Sequence, residues 1–235
     1  VFESGFVRNK VLEFVGEGVK NLPIEFRNGI DVMTTETTCL SSIWETDEET
    51  KRFFEVHGRP EAYKKLSPED GAYYDRMIEL DLSQLEPMIA LPFHPSNAYT
   101  IRDFLANAQE LLAGVEAEAK RRWPKANVHL LDKLHDGGVW ADQGIIAGCA
   151  GGMFDNIDEA AQILRGGSVG SGYFSMSVYP TSVPVSLALT RLGVTESLLE
   201  TGAIIKPSFC GPCFGAGDVP VSYTHLRAHE TTLHL

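Results

Sequence analysis

From about Gly138 onward the sequence alternates between short apolar runs and helix-forming stretches, and this alternation limits the possible folds more than any other feature. "GIIAGCA" (144–150) reads as a short apolar strand. "NIDEAAQILRGG" reads as a helix beginning near Asn156 and closed by glycine. "YFSMSVYP" (173–180) reads as a second strand, "VPVSLALTRLG" and "ESLLETG" as helices, and "GAIIKPSFC" (202–210) as a third strand. Strands separated by helices form a layered α/β structure with a parallel sheet, because each helix carries the chain back to start the next strand in the same direction.

Ligands in such a layer gather at the carboxyl ends of the strands. Cys149 ends the first of these strands, and Cys210 and Cys213 follow the last. Two neighbouring strands would therefore present three thiols to one region. Gly148, Gly151, Gly152, Gly211, Gly215 and Gly217 leave room there for a bulky group and supply backbone N–H donors. Spacing alone leaves several chemistries open. The Cys-x-x-Cys pair is compatible with a redox couple, with part of a zinc site that needs four ligands, or with an iron–sulfur anchor. Cys39, the remaining cysteine, reads as a small apolar residue.

The first half of the chain is less regular. "VRNKVLEFVGEGVKNL" has near-helical apolar spacing interrupted by Gly16 and Gly18. "GIDVMTTETTCLSSIW" (29–44) is rich in small residues around Glu36 and suits a helix. "DEETKRFFEVHG" is a capped helix with Asp47 as N-cap and Gly58 as stop. The alternation of Met77, Glu79 and Asp81 with Ile78, Leu80 and Leu82 predicts a half-buried strand. "TIRDFLANAQELLAGVEAEAKRRW" is one amphipathic helix with Phe104, Leu105, Leu111, Leu112 and Val115 on its apolar stripe. These elements divide the chain into an α+β region over 1–95, a helical connection over 96–137 and an α/β region over 138–220 that carries the cysteines.

Composition narrows the partners. A net charge of −12 over 235 residues argues against nucleic acid or an anionic membrane as ligand. No apolar run is long enough to span a bilayer, and the reading is of a cytoplasmic protein. The N-terminus starts in mid-pattern, as in a piece of a longer chain. The segment 221–235 departs in style from everything before it. It holds His225, His229 and His234, yet "VSYTHLRAHET" resembles one translated reading frame of a sequencing adapter, so its histidines are assigned no metal.

"IIAGCAGGMFDNIDEAA" followed at a distance by "CGPCFGAGD" resembles the aconitase family of hydro-lyases. "MIELDLSQLEPMIALPFHP" is similar to the strand and turn closing that family's second domain. "FRNGIDVMTTETTCLSS" is similar to the segment with its active-site glutamate, and "VYPTSVPVSLALTRLG" to the turn and helix between its cluster cysteines. The resemblance covers nearly all of residues 6–220. It implies three-layer α/β/α domains, the second and third of a larger protein. It implies a [4Fe-4S] cluster on Cys149, Cys210 and Cys213, with one iron open to act as a Lewis acid. It makes Glu36 the acid that contacts the substrate- or water-bearing iron, and a small hydroxy-carboxylate the substrate. The family's base, a serine, belongs to a further domain of the parent chain, so the segment by itself would not turn over.

The sequence also departs from the family. Cys149-Ala150-Gly151 stands where Cys-Thr-Asn is usual, Asp31-Val32 where Cys-Asn is usual, and "CGPCFGAGD" where Cys-Gly-Pro-Cys-Ile-Gly is usual. Two asparagines that face cluster or substrate are thus lost, and the resemblance points to a divergent hydratase branch. Two rival readings are a non-catalytic iron or redox sensor that keeps the cluster, and a structural zinc site completed by Cys39. Four further features carry plain structural readings: His94 as a turn histidine, Asp155 and Asn156 as helix caps, Asp218 as a partner of the loop backbone, and "RGGSVGSG" as a connection that lacks the Lys-Ser/Thr of a phosphate loop.

Overall fold

The computed structural model describes residues 4–125, 127–170 and 172–218. They form two units, divided between Leu85 and Glu86. The sequence placed a boundary at residue 95 and a separate helical connection over 96–137. By contacts, residues 86–137 fall in one unit with the cysteine-bearing region, and within that unit Leu91, Phe104, Ala108, Leu112, Val115 and Leu130 bury one another in a core of their own.

In the first unit, strand β1 (Val11–Phe14) leads through a short 3-10 turn to helix α1 (Ile24–Thr34), then to strand β2 (Ser41–Trp44) and helix α2 (Glu48–Val56). β1 and β2 pair in parallel, Val11 opposite Ser41 and Phe14 opposite Trp44. The near-helical spacing around Val11 therefore forms a strand. Its β-branched and aromatic residues suit a pleated surface, and Phe14 stacks on Trp44 with ring centroids 4.1 Å apart. Asp47 caps α2 by accepting from the Thr50 amide at 3.1 Å. It also binds Arg27 at 2.6 Å, and the Arg27 side chain is only 2% exposed. Arg27 further donates from Nε to the Leu22 carbonyl at 2.9 Å, so one arginine ties the start of α1 to the cap of α2. The strand expected over 77–82 does not form: Met77 and Leu80 are 82% and 64% exposed, and only a 3-10 turn over Leu82–Gln84 is present, capped by Asp81. Alternation builds a strand only where a partner edge supplies hydrogen bonds, and none pairs with this segment among the described residues.

The second unit opens with strands β3 (Met88–Ala90) and β4 (Ala98–Thr100), an antiparallel pair. Helices α3 (Ile101–Ala106) and α4 (Ala108–Arg122) follow. The single amphipathic helix of the sequence reading is thus two, broken at Asn107, whose side chain donates to the Asp103 carbonyl at 3.0 Å and competes with the helical ladder. After a small antiparallel ribbon of β5 (Leu134–His135) and β6 (Gly138–Val139) comes the α/β layer. It runs β7 (Gln143–Ile146), α5 (Gly148–Gly151), α6 (Phe154–Leu164), β8 (Ser175–Val178), α7 (Val183–Arg191), α8 (Val194–Glu200), β9 (Ile204–Ile205) and α9 (Gly211–Phe214). The three strands are parallel in the order β7-β8-β9. Ile157, Ala161, Val178, Leu189, Val194, Leu198 and Ala203 bury one another between α6, α7, α8 and the sheet. No helix among the described residues is long and apolar enough to cross a membrane. The segment 221–235 lies outside the described residues.

Candidate functional site

The site is built on two turns at the carboxyl end of the β7-β8-β9 sheet. β7 stops at Ile146, three residues before Cys149, and Ala147 is still extended. Gly148 then takes φ +88°, a conformation that L side chains rarely adopt. The chain reverses there into the short turn α5, which carries Cys149. Cys149 therefore lies within a helical turn rather than ending the strand. The turn is tied down on two sides: Asn156 donates to the Ala150 carbonyl at 2.8 Å, and the Thr181 amide donates to the Gly152 carbonyl at 2.7 Å. Asn156 thus fastens the cysteine turn to α6, whose N-cap is Met153. Gly152 cannot carry a side chain here. A Cβ would fall 2.4 Å from the Tyr179 carbonyl and 2.9 Å from the Thr181 amide, both backbone atoms. Gly152→Ala is expected to cost about 1–3 kcal/mol in urea unfolding, the usual range for overpacking; a variant as stable as wild type would show that the turn relaxes freely.

The second turn leaves β9 through Lys206, whose amide continues the ladder to the Val178 carbonyl at 2.9 Å. Cys210 is the N-cap residue of α9, which Pro212 and Cys213 share, and Gly215 closes it at φ +79°. The strands that precede the two turns are not neighbours, as the sequence reading had them, because β8 lies between them. The turns meet nonetheless: a Cβ on Gly148 would lie 3.3 Å from the Cys213 Sγ. The absence of a side chain at 148 is what admits the Cys213 thiol to the Cys149 turn. Cys149, Cys210 and Cys213 are all exposed, and no disulfide involves them.

The thiols do not form a closed metal centre: among the described residues no three His, Cys, Asp or Glu side chains are grouped to hold a metal ion. Ser208, within this second turn, has a buried hydroxyl with no hydrogen-bond partner among the described residues.

Asp218 was expected to bond the loop backbone. Its carboxylate instead accepts from the Tyr179 hydroxyl at 2.9 Å and faces the Lys206 ammonium at 3.5 Å. Burial pushes the Asp218 carboxyl up, but the Ser177 and Tyr179 hydroxyls and the Lys206 charge outweigh it and hold it below the usual carboxylate range. Burial, followed by the bond to Asp218, raises the Tyr179 phenol. The sequence reading missed Ser177, Tyr179 and Lys206. The signal for Ser177 and Tyr179 was the alternation in "YFSMSVYP", which sets Ser175, Ser177 and Tyr179 on the face opposite Met176 and Val178.

Glu36 lies in the first unit, on the exposed 3-10 turn Thr35–Thr37 after α1. Asp31 accepts from the Trp44 indole at 3.1 Å and from the Ser42 hydroxyl. The Cys39 thiol donates to the Thr34 carbonyl at 3.1 Å. His94 accepts the Ser96 amide at 3.1 Å, as a turn histidine does.

In mixed α/β proteins with a parallel sheet, ligands are commonly held at the carboxyl edge, where these thiol-bearing turns lie. The chain belongs to the aconitase family: the family model described as "Aconitase family (aconitate hydratase)" matches residues 1–232. That match runs past Pro220 into the segment set apart by its style. Among similar curated proteins, "3-isopropylmalate dehydratase large subunit 1" of Pyrococcus furiosus is 30% identical over 95% of this chain and 45% of its own length. "3-isopropylmalate dehydratase large subunit 2" of Rubrobacter xylanophilus is likewise 30% identical over 95% of this chain and 45% of its own. "3-isopropylmalate dehydratase large subunit" of Lachnoclostridium phytofermentans is 27% identical over the same shares. The chain spans about half the length of the curated relatives it matches.

Proposed function

We propose that this chain supplies the cluster-bearing part of an aconitase-family hydro-lyase whose substrate is a hydroxy-carboxylate of the isopropylmalate type. The observation that carries this reading is the approach of the Cys213 thiol to Gly148, in the turn of Cys149. Three soft thiols, glycines that leave space, and a buried Ser208 hydroxyl in need of an acceptor suit a sulfide-rich group.

Cys149, Cys210 and Cys213 would hold a [4Fe-4S] cluster. When bound through three cysteines, such a cluster supplies a Lewis-acidic iron to polarise a substrate hydroxyl. This chain's own residues then have definite tasks. Gly152 keeps the Cys149 turn close to the chain leaving β8, and Gly148 leaves room for Cys213 beside it. The Ser208 hydroxyl, buried in the second turn without a partner among the described residues, would be left to donate to the bound group. Glu36, whose exposed carboxylate leaves its oxygens available, would accept a hydrogen bond from the substrate hydroxyl or a water and fix its direction. The relatives are named large subunits, and the base that removes the carbon-bound proton would come from elsewhere in a longer chain or from a second, smaller one.

A sensor reading draws on the lost asparagine: Val32 stands at its position, and the neighbouring Asp31 carboxylate is committed to Ser42 and Trp44. Hydration of any hydroxy-acid panel by the longer parent protein would rule it out. The zinc reading needs Cys39 as fourth ligand, and that thiol already bonds the Thr34 carbonyl.

Anaerobic reconstitution of the chain with iron and sulfide tests the proposal. The expected product holds about four irons and about four sulfides per chain and shows a visible charge-transfer band, with Cys39→Ala behaving as wild type. Folded protein that takes zinc, or that retains no iron, would overturn it.

A further inference from the structure

One face of β8 is covered by helices, through Met176 and Val178. The other face carries Ser177 and Tyr179, which are also buried, at 2% and 3% exposure. Two buried hydroxyls need partners, and both find the same carboxylate. Asp218 lies beyond the second cysteine turn, accepts from Tyr179 at 2.9 Å and from Ser177, and pairs with Lys206 at 3.5 Å. Lys206 opens the segment that Asp218 closes, so the ion pair joins the two ends of the turn. The segment after the turn also packs directly on the phenol: a Cβ on Gly217 would lie 3.2 Å from the Tyr179 hydroxyl.

We propose that Asp218 is the positioning residue of the cysteine turn, pinning the segment 206–218 onto β8 so that Cys210 and Cys213 face the Cys149 turn before any ligand arrives. The proposed function enters only in naming what is then bound. The arrangement acts through geometry. Asp218 is not among the thiol ligands. It anchors the free end of the turn, while the Lys206 amide anchors the other through the ladder bond to Val178. Releasing one anchor lets the turn rotate about the other and separates Cys213 from Gly148. Partners of this kind, one bond removed from the ligands, typically change metal affinity about 10- to 100-fold when lost.

The test compares wild type, Asp218→Ala, Asp218→Asn and Tyr179→Phe after anaerobic reconstitution. Iron and sulfide retained against a chelator are measured together with the visible band and the far-ultraviolet circular dichroism. Asp218→Ala is expected to retain iron about tenfold less well with an unchanged fold. Tyr179→Phe should show a smaller loss of the same kind. Asp218→Asn, which keeps the acceptor oxygen but not the charge, should fall between wild type and Asp218→Ala. If Asp218→Ala loses its fold, Asp218→Asn and Tyr179→Phe decide. Variants that retain iron and band as wild type does would overturn the inference and leave the proposed function standing. If wild type takes up no iron, the proposed function fails, and amide hydrogen exchange of the metal-free chain decides the clamp. Faster exchange at the Ala216 and Cys213 amides in Asp218→Ala, confined to 206–218, would support it, and unchanged exchange would overturn it.

Discussion

Changing Cys149, Cys210 or Cys213 to serine is expected to lower the iron retained after anaerobic reconstitution by more than about tenfold, each on its own. The three thiols sit on two separate turns. Cys149 is fixed by the Asn156 and Thr181 bonds to its turn. Cys210 and Cys213 are set by the short helix that Gly215 closes. No one of them can move to take another's place without unmaking a turn, and a serine hydroxyl is too hard and too weakly acidic to replace a thiolate on a sulfide-bridged iron. Cys39→Ser should retain iron, because that thiol is occupied with the Thr34 carbonyl. The visible band and iron analysis read the result, with circular dichroism confirming the fold. Wild-type iron in any one of the three single variants would remove that residue from the ligand set.

Asp47→Ala should destabilise the first unit by about 3–5 kcal/mol, the range for stranding one member of a buried ion pair. The Arg27 side chain is 2% exposed and that of Asp47 is 24% exposed. Arg27 Nη1 already lacks a partner among the described residues, so losing the bond at Nη2 leaves a buried cation with only the Leu22 carbonyl. The cap of α2 is lost as well, typically about 1 kcal/mol. Asp47→Asn keeps a cap oxygen and should cost less. The same carboxylate makes stability depend on pH. Burial pushes Asp47 up, but the Arg27 and Thr50 bonds outweigh it and hold it below its ordinary 3.8. A group whose folded value is lowered stabilises the fold fully above its unfolded value, and that contribution disappears as pH falls through the lowered value. The urea midpoint should therefore drop as pH falls below about 4, and less steeply in Asp47→Asn. Circular dichroism in urea checks both. An Asp47→Ala chain within about 1 kcal/mol of wild type would show that Arg27 finds another partner.

Much of the cysteine-bearing layer was legible because its signals are local. β8, α6, α7 and α8 fall where the apolar runs and their glycine stops put them. Asp47 was readable as a cap because a cap needs only its own first turn. The failures are equally specific. Met77 to Leu82 alternates like a strand yet stays exposed, since alternation does not supply a partner edge. Asn107 breaks a helix that its apolar stripe carries straight through, because its side chain competes for a backbone carbonyl. Arg27 carries no local signal, since its partner Asp47 is twenty residues away.

For the site, the sequence by itself determined which residues carry thiols, which glycines surround them, and that both thiol segments leave a parallel layer at the same end. Those are properties of residue type and of periods along the chain. Only the tertiary structure decided that β8 separates the two segments, that Cys213 comes to the Cys149 turn over Gly148, and that Asp218 reaches Tyr179, Ser177 and Lys206. These depend on strand order and on side chains from distant segments burying one another, and no local pattern encodes either.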